Sequence, residues 1–120
     1  MPKLLTIDDE NEFTELIRCY FEPRGYEVLV AHNGTRGLVL ARTQLPQVCL
    51  IDLKMPGLHG DEVLKEILAL KAGVQCIMIT ASEGEGKTRA DLMQQGAFGC
   101  FDKPLTSLKD LKQKIKEALT

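Results

Sequence analysis

The sequence predicts an α/β fold, a doubly wound parallel sheet with helices on both faces, and three observations carry that prediction. Short apolar runs alternate with segments of helical spacing along the whole chain. The tally is five strands and five helices in strict alternation. Four of the runs end on side chains that carry chemistry. Lys3-Leu4-Leu5-Thr6-Ile7 runs into Asp8 and Asp9, Val48-Cys49-Leu50-Ile51 into Asp52, Cys76-Ile77-Met78-Ile79 into Thr80, and Phe98-Gly99-Cys100-Phe101 into Asp102 and Lys103. Parallel strands would bring those ends to one edge, where ligands bind in open α/β sheets.

Each helix has its own signature. In the first, Phe13, Leu16, Ile17, Tyr20 and Phe21 recur at three- and four-residue steps, and Pro23 with Gly25 stops it before a strand over Tyr26 to Ala31. The second runs from about Asn33 to Thr43, opened by Asn33-Gly34 and closed by Pro46, with Leu38 and Ala41 inward. After Asp52, Met55-Pro56-Gly57-Leu58-His59-Gly60 is a turn-rich loop, and Val63, Leu64, Ile67 and Leu68 then share one helical face. The fourth connection is weaker: Glu83 to Gly86 is polar and glycine-rich, and only Ala90, Leu92 and Met93 offer burial before Gly96. A short, loosely held helix is expected there. The last helix, Ser107 to about Leu119, has a serine cap, an inward stripe of Leu108, Leu111, Ile115 and Leu119, and lysines outward.

At 120 residues the chain fits one domain, residues 1–120. Its 44% hydrophobic and 27% charged fractions argue against a disordered or fibrous chain. Net charge is −2 with no basic stripe, so the chain gives no electrostatic footprint for direct nucleic-acid binding. Cys19, Cys49, Cys76 and Cys100 form no CxxC pair and have no histidines at zinc spacing; they read as buried, reduced thiols. No apolar stretch is long enough to cross a bilayer and the amino end lacks a signal core, so a cytoplasmic location is expected.

Asp8, Asp9 and Asp52 in one crevice repel one another and demand a counter-cation. A hard divalent ion, Mg²⁺ rather than zinc, suits three aspartates with no histidine or cysteine among them. Lys103 brings an ammonium and Thr80 a hydroxyl to the same edge, enough to hold the oxygens of a tetrahedral dianion. Phosphoryl transfer is chiefly positioning and charge neutralisation. An aspartate can serve as nucleophile, and Asp52, alone on a middle strand, is the best placed. His32 and His59 read as solvated turn residues outside the site.

These residues carry a family resemblance. Asp8-Asp9-Glu10, Asn33-Gly34, Asp52-Leu53-Lys54-Met55-Pro56-Gly57, Thr80-Ala81-Ser82, Gly96-Ala97 and Lys103-Pro104 follow in order at their spacings. Over essentially its whole length the chain resembles the receiver domain of two-component response regulators. The resemblance implies a flavodoxin-like (βα)5 fold of strand order 2-1-3-4-5 and a phosphorylation-dependent signalling switch rather than an enzyme. It implies that Asp52 accepts a phosphoryl group from a histidine kinase, a phosphotransfer protein or a small acyl phosphate. Asp9 and Asp52 would ligate Mg²⁺ directly, with the Lys54 backbone carbonyl, and Asp8 through water. Lys103 and Thr80 would meet the phosphoryl oxygens, the Ala81 backbone amide would donate to them, and Leu53 would adjoin the phosphoryl group. The Lys103-Pro104 bond would be cis. The output partner would read the face of helix four, strand five and helix five, and the resemblance leaves homodimerisation on phosphorylation open.

The chain also departs from the pattern. Cys100 stands where the family usually has an aromatic residue, so the signal is expected to leave through the loop after Thr80 and the weak helix behind it. Lys54 and Ser82 flank the path of a hydrolysing water and are expected to set the lifetime of the phosphorylated state. Ala81-Ser82-Glu83-Gly84-Glu85-Gly86-Lys87-Thr88 approximates a P-loop, but its two acids oppose a triphosphate and the segment reads better as a receiver's fourth connection. The alternative function is a receiver-like interaction module that signals without phosphate.

Overall fold

The computed structural model describes residues 1–80 and 88–120. Five strands, β1 (Lys3–Ile7), β2 (Glu27–Ala31), β3 (Val48–Asp52), β4 (Gln75–Thr80) and β5 (Gly99–Asp102), form one sheet in the order β2-β1-β3-β4-β5. Every neighbouring pair is parallel. Between them lie α1 (Asn11–Phe21), α2 (Gly34–Gln44), α3 (Gly60–Ala69) and α4 (Arg89–Gln95), and α5 (Leu108–Leu119) closes the chain.

Alternation along the strands divides the core into two layers. Leu5, Ile7, Cys49, Ile51, Cys76 and Met78 face one side, against Leu38 and Ala41 of α2, Val63, Leu64 and Ile67 of α3, and Leu92 of α4. Leu4, Val48, Leu50, Ile77 and Ile79 face the other, against Phe13, Ile17 and Phe21 of α1 and Leu111 and Ile115 of α5. All five residues of β3 are buried, because this strand has a neighbour on each edge and helices on each face.

The caps match the residue types. The Asn33 carboxamide accepts from the Arg36 amide at 2.8 Å to open α2, and the Ser107 hydroxyl accepts from the Asp110 amide at 3.1 Å to open α5. Thr88 and Asp91 cap α4 reciprocally: Thr88 Oγ1 accepts from the Asp91 amide at 3.1 Å, and Asp91 Oδ2 accepts from the Thr88 amide at 3.0 Å.

Several expectations are corrected. Strand β2 starts at Glu27, because the Tyr26 amide donates to Phe21 O at 3.3 Å and so finishes the helix end instead of joining the ladder. A 3-10 turn over Glu22–Arg24 precedes it, and Gly25 follows with φ +91°. In α1 the buried face is Phe13, Thr14, Ile17 and Phe21, and Leu16 is 44% exposed. At about 100° per residue Leu16 falls well off that face, whereas Thr14 falls on it and donates its hydroxyl to Asn11 O at 3.0 Å. In α4 only Leu92 is buried, while Ala90 and Met93 are exposed, because a seven-residue helix turns a single apolar position onto the sheet. Leu68, Leu108 and Leu119 are half-buried. Of the cysteines, Cys49 and Cys76 are buried and Cys100 is intermediate; Cys19, on the outer face of α1, is exposed. Among the described residues no helix is long and apolar enough to cross a membrane.

Candidate functional site

Strand register places the reactive residues. Asp8 follows β1 directly and its amide donates to Ala31 O at 3.0 Å, which ties it to the end of β2. Asp52 closes β3 opposite Ile79, and the next amide, Leu53, donates to Ile79 O at 2.9 Å. Thr80 closes β4 opposite Asp102, and the Lys103 amide donates to Thr80 O at 2.8 Å. The functional side chains thus hang from the last rungs of the ladders.

The side chains of Asp8, Asp9 and Asp52 bring one oxygen each to within 4.8 Å of one another. Asp8 and Asp52 are buried, at 1% and 4% exposure, and Asp9 lies outside them toward solvent. Lys103 Nζ donates to Asp8 Oδ2 at 2.8 Å, stands 3.8 Å from Asp52 Oδ2, and pairs with Glu10. It also lies 4.8 Å above the Phe13 ring. The Glu10 amide donates to Asp8 Oδ1 at 2.9 Å, while Asp52 Oδ1 is buried with no hydrogen-bond partner among the described residues. A buried carboxylate oxygen without a donor is costly, so this side of Asp52 suits a cation or a hydrogen-bond donor.

Electrostatics agree with the geometry. Burial first, and then the neighbouring charge of Asp8, push the Asp52 carboxyl up to about 7; Lys103 opposes the shift and Asp9 adds to it. Burial also raises Asp8, against the hydrogen bonds from Lys103 and the Glu10 amide. Burial alone would lower the Lys103 ammonium, but its hydrogen bonds to Asp8 and Glu10 and the charges of Asp52 and Asp8 leave it raised. One cation among this many acids is insufficient, so the donor set fits a hard, oxygen-seeking divalent ion.

The loop after Asp52 is pressed against the strand it leaves. A Cβ on Gly60 would stand 2.2 Å from the Asp52 carbonyl oxygen and 2.7 Å from the Leu53 Cα. With glycine there, the Gly60 amide donates to Leu53 O at 2.9 Å and α3 begins directly behind the acid. Leu53 is buried and Lys54 exposed at the start of this loop.

The residues anticipated from sequence therefore converge at one sheet edge: Asp8, Asp9, Asp52 and Lys103 as a packed cluster, Thr80 one strand over. The Lys103–Pro104 bond is cis. Ala81, Ser82 and the P-loop-like stretch apart from Thr88 lie outside the described residues. Three participants went unassigned in the sequence. Glu10 adjoins the two aspartates, so its acidity next to them was the available signal. Phe13 read only as a core residue, and Gly60 only as part of a turn. His59 is exposed, its amide donating to Glu62 Oε1 at 3.3 Å to start α3, and His32 is exposed beside Thr14; neither enters the site.

Comparison with known proteins bears on this arrangement. Residues 4–116 match the model of the response regulator receiver domain. The transcriptional regulatory protein CpxR homolog of Haemophilus influenzae is 38% identical over 119 residues, covering 99% of this chain and 51% of that protein. Sporulation initiation phosphotransferase F of Bacillus subtilis is 29% identical over 117 residues, covering 98% of this chain and 93% of that protein. The chain spans about half the length of the Haemophilus relative and 48% of the alkaline phosphatase synthesis regulator PhoP of Bacillus subtilis. Among solved structures, a CheY-like receiver domain protein from Methanospirillum hungatei superposes with a TM-score of 0.91 at 28% identity, covering 99% of this chain and 94% of that one. Fold, strand order and sequence match agree, and the chain belongs to the response regulator receiver domain family, the phosphorylation-dependent signalling switch of two-component systems.

Proposed function

We propose that Asp52 is the phosphoacceptor and that Lys103, Thr80 and the Ala81 backbone amide receive the transferred group, with residues 1–120 acting as one receiver domain. The observation that carries this reading is Asp52 itself: a buried strand-end carboxylate, one oxygen without a hydrogen-bond partner among the described residues, facing a lysine ammonium at 3.8 Å. Mg²⁺ is the ion proposed for the acidic pocket, held by Asp9, Asp52 and the Lys54 backbone carbonyl, with Asp8 acting through water. When bound, it would neutralise the crowded carboxylates and the phosphoryl oxygens.

Asp52 would act in its ionised form, its oxygen attacking the phosphorus of a phosphohistidine or acyl phosphate. The new O–P bond replaces the P–N or P–O bond, and the imidazole or carboxylate leaves with the electron pair. Lys103 holds charge density on the transferred group, and Asp8 and Glu10 hold the Lys103 amine in place beforehand. Thr80 offers a hydroxyl at the end of β4, and Leu53 next to the acid is buried in the core. Lys54 and Ser82 would govern how water reaches the acyl phosphate, and hence its lifetime.

Receiver domains interact with histidine kinases or phosphotransfer proteins. For this chain we propose such a donor, a cytoplasmic setting, and output through α4, β5 and α5, with dimerisation on phosphorylation as one form it can take. Cys100 leaves no ring on β5 at the usual aromatic position, so movement of the α4 segment is the proposed route out. Incubation with Mg²⁺ and acetyl phosphate should add one phosphoryl mass to the wild-type chain and none to Asp52→Asn. Absence of that mass in the wild type would favour an interaction module that works without phosphate.

A further inference from the structure

Some cations on this surface have a carboxylate partner. Arg18 pairs with Glu15 at 2.9 Å and Glu22 at 3.6 Å, Arg89 with Asp102 at 3.1 Å, and Lys114 with Glu117 at 3.6 Å. Among the cations that pair with no carboxylate within the described residues, which also include Arg36, Arg42, Lys65 and Lys71, four gather in one place: Arg24, Lys109, Lys112 and Lys116. These four line one open groove of about 350 Å³ between the end of α1 and the outer face of α5, together with Tyr20 and Gln113. The net charge of −2 conceals this basic stripe, because its members are 85 residues apart at the nearest crossing, Arg24 to Lys109.

The groove has an ordered wall. The Arg24 guanidinium carbon lies 3.7 Å from the centre of the Tyr20 ring, and Nη1 donates to Tyr20 O at 2.6 Å, so this cation is fixed rather than free in solvent. On the opposite wall Lys109, Lys112 and Lys116 fall within an arc of about 60° on α5 and extend over roughly 10 Å of its length. Lys114 points elsewhere, over the Phe98 ring at 5.0 Å. These four cations thus form a row along a groove.

We propose that this groove receives an acidic helix of a partner protein, laid along α5 with carboxylates at positions i, i+4 and i+7 meeting Lys109, Lys112 and Lys116, and Arg24 closing the far side. A helix repeats its carboxylates at the same three- and four-residue steps as the lysines it would face. Duplex nucleic acid fits less well: a row of roughly 10 Å meets only about three phosphates of one strand, and the negative net charge opposes a polyanion at a distance. The surface is separate from the acidic pocket and borders the α4–β5–α5 face only through α5.

The test is a titration of the ¹⁵N-labelled chain with a synthetic amphipathic helix bearing glutamates at i, i+4 and i+7, against a peptide of equal composition with those glutamates scattered around the helix. The aligned peptide should bind about tenfold more tightly at low salt and shift amide resonances of residues 20–24 and 109–116. Lys112→Glu with Lys116→Glu should abolish the difference, and Lys114→Glu should leave it nearly intact. The neutral pair Lys112→Gln with Lys116→Gln should weaken binding at least threefold, roughly, and decides the matter if circular dichroism finds the double reversal unfolded. Equal binding of the two peptides, equal damage from Lys114→Glu, or displacement of the aligned peptide by a lower concentration of duplex oligonucleotide or inorganic pyrophosphate would overturn the proposal.

Discussion

The two halves of the sheet are built to different tolerances. Around β3 every strand residue is buried, and α3 packs Val63, Leu64 and Ile67 into the same core layer. At the β4–β5 end, α4 is a seven-residue helix that buries Leu92 alone, and β5 is a four-residue edge strand. Arg89 is the main polar tie between them, donating to the Cys100 carbonyl and pairing with Asp102 at 3.1 Å on an exposed surface. Exposed pairs contribute little, so this tie is weak. The carboxylates of the cluster sit on the close-packed half, whereas Thr80 and Lys103 reach them from the looser one. The half proposed to change shape has little packing to lose, as expected of elements that move.

The strongest way to break the comparison is a side-chain truncation in each half. Leu64→Ala on α3 removes a fully buried side chain and should cost roughly 2–5 kcal/mol in urea unfolding. Met93→Ala on α4, 42% exposed, should cost under about 0.5 kcal/mol. Comparable losses would remove the contrast.

The charge cluster gives the next largest effect. In metal-free protein the Asp52 carboxyl is raised from 3.8 to about 7, so the folded state holds its proton over that window while the unfolded chain releases it. Its contribution to stability is therefore most favourable below about pH 4 and falls as pH rises through 7, by at most about 4 kcal/mol. Asp52→Asn should flatten that slope and raise the midpoint of metal-free unfolding at pH 7, and Mg²⁺ should raise the wild-type midpoint more than that of the variant. A pH-independent wild-type midpoint between 4 and 7 would contradict this.

Gly60→Ala tests the contact between the start of α3 and the end of β3. Its Cβ would press on the Asp52 carbonyl at 2.2 Å, so α3 must withdraw, at about 1–3 kcal/mol and with slower phosphorylation by acetyl phosphate. The smallest expected effect sharpens the picture of α4: Thr88→Ala removes one side of its reciprocal cap and should cost about 1 kcal/mol or less globally. Its clearer sign should be faster amide exchange confined to residues 89–95.

Much of this was legible in the sequence because the fold depends on alternation and the site on strand ends. Asp8, Asp52 and Lys103 could be placed together from the rule that parallel strands share a carboxyl edge. The exposure of Leu16 was hidden by its place in the three- and four-residue apolar steps, although at about 100° per residue it falls off the face that Phe13, Ile17 and Phe21 share with Thr14. Gly60 concealed a contact distance, which no composition reveals. The basic groove was invisible because Arg24 and the α5 lysines meet only after the sheet has folded.

The reactive groups are suspended from ladder hydrogen bonds: Asp8 from Ala31, Leu53 beside Asp52 from Ile79, and Lys103 from Thr80. A strand sliding by one position would turn its terminal side chain to the opposite face. Competence to take up a phosphoryl group is thus a gauge of correct alignment across the whole β-layer. A misthreaded chain, however compact, would give a blank reading rather than a faint one.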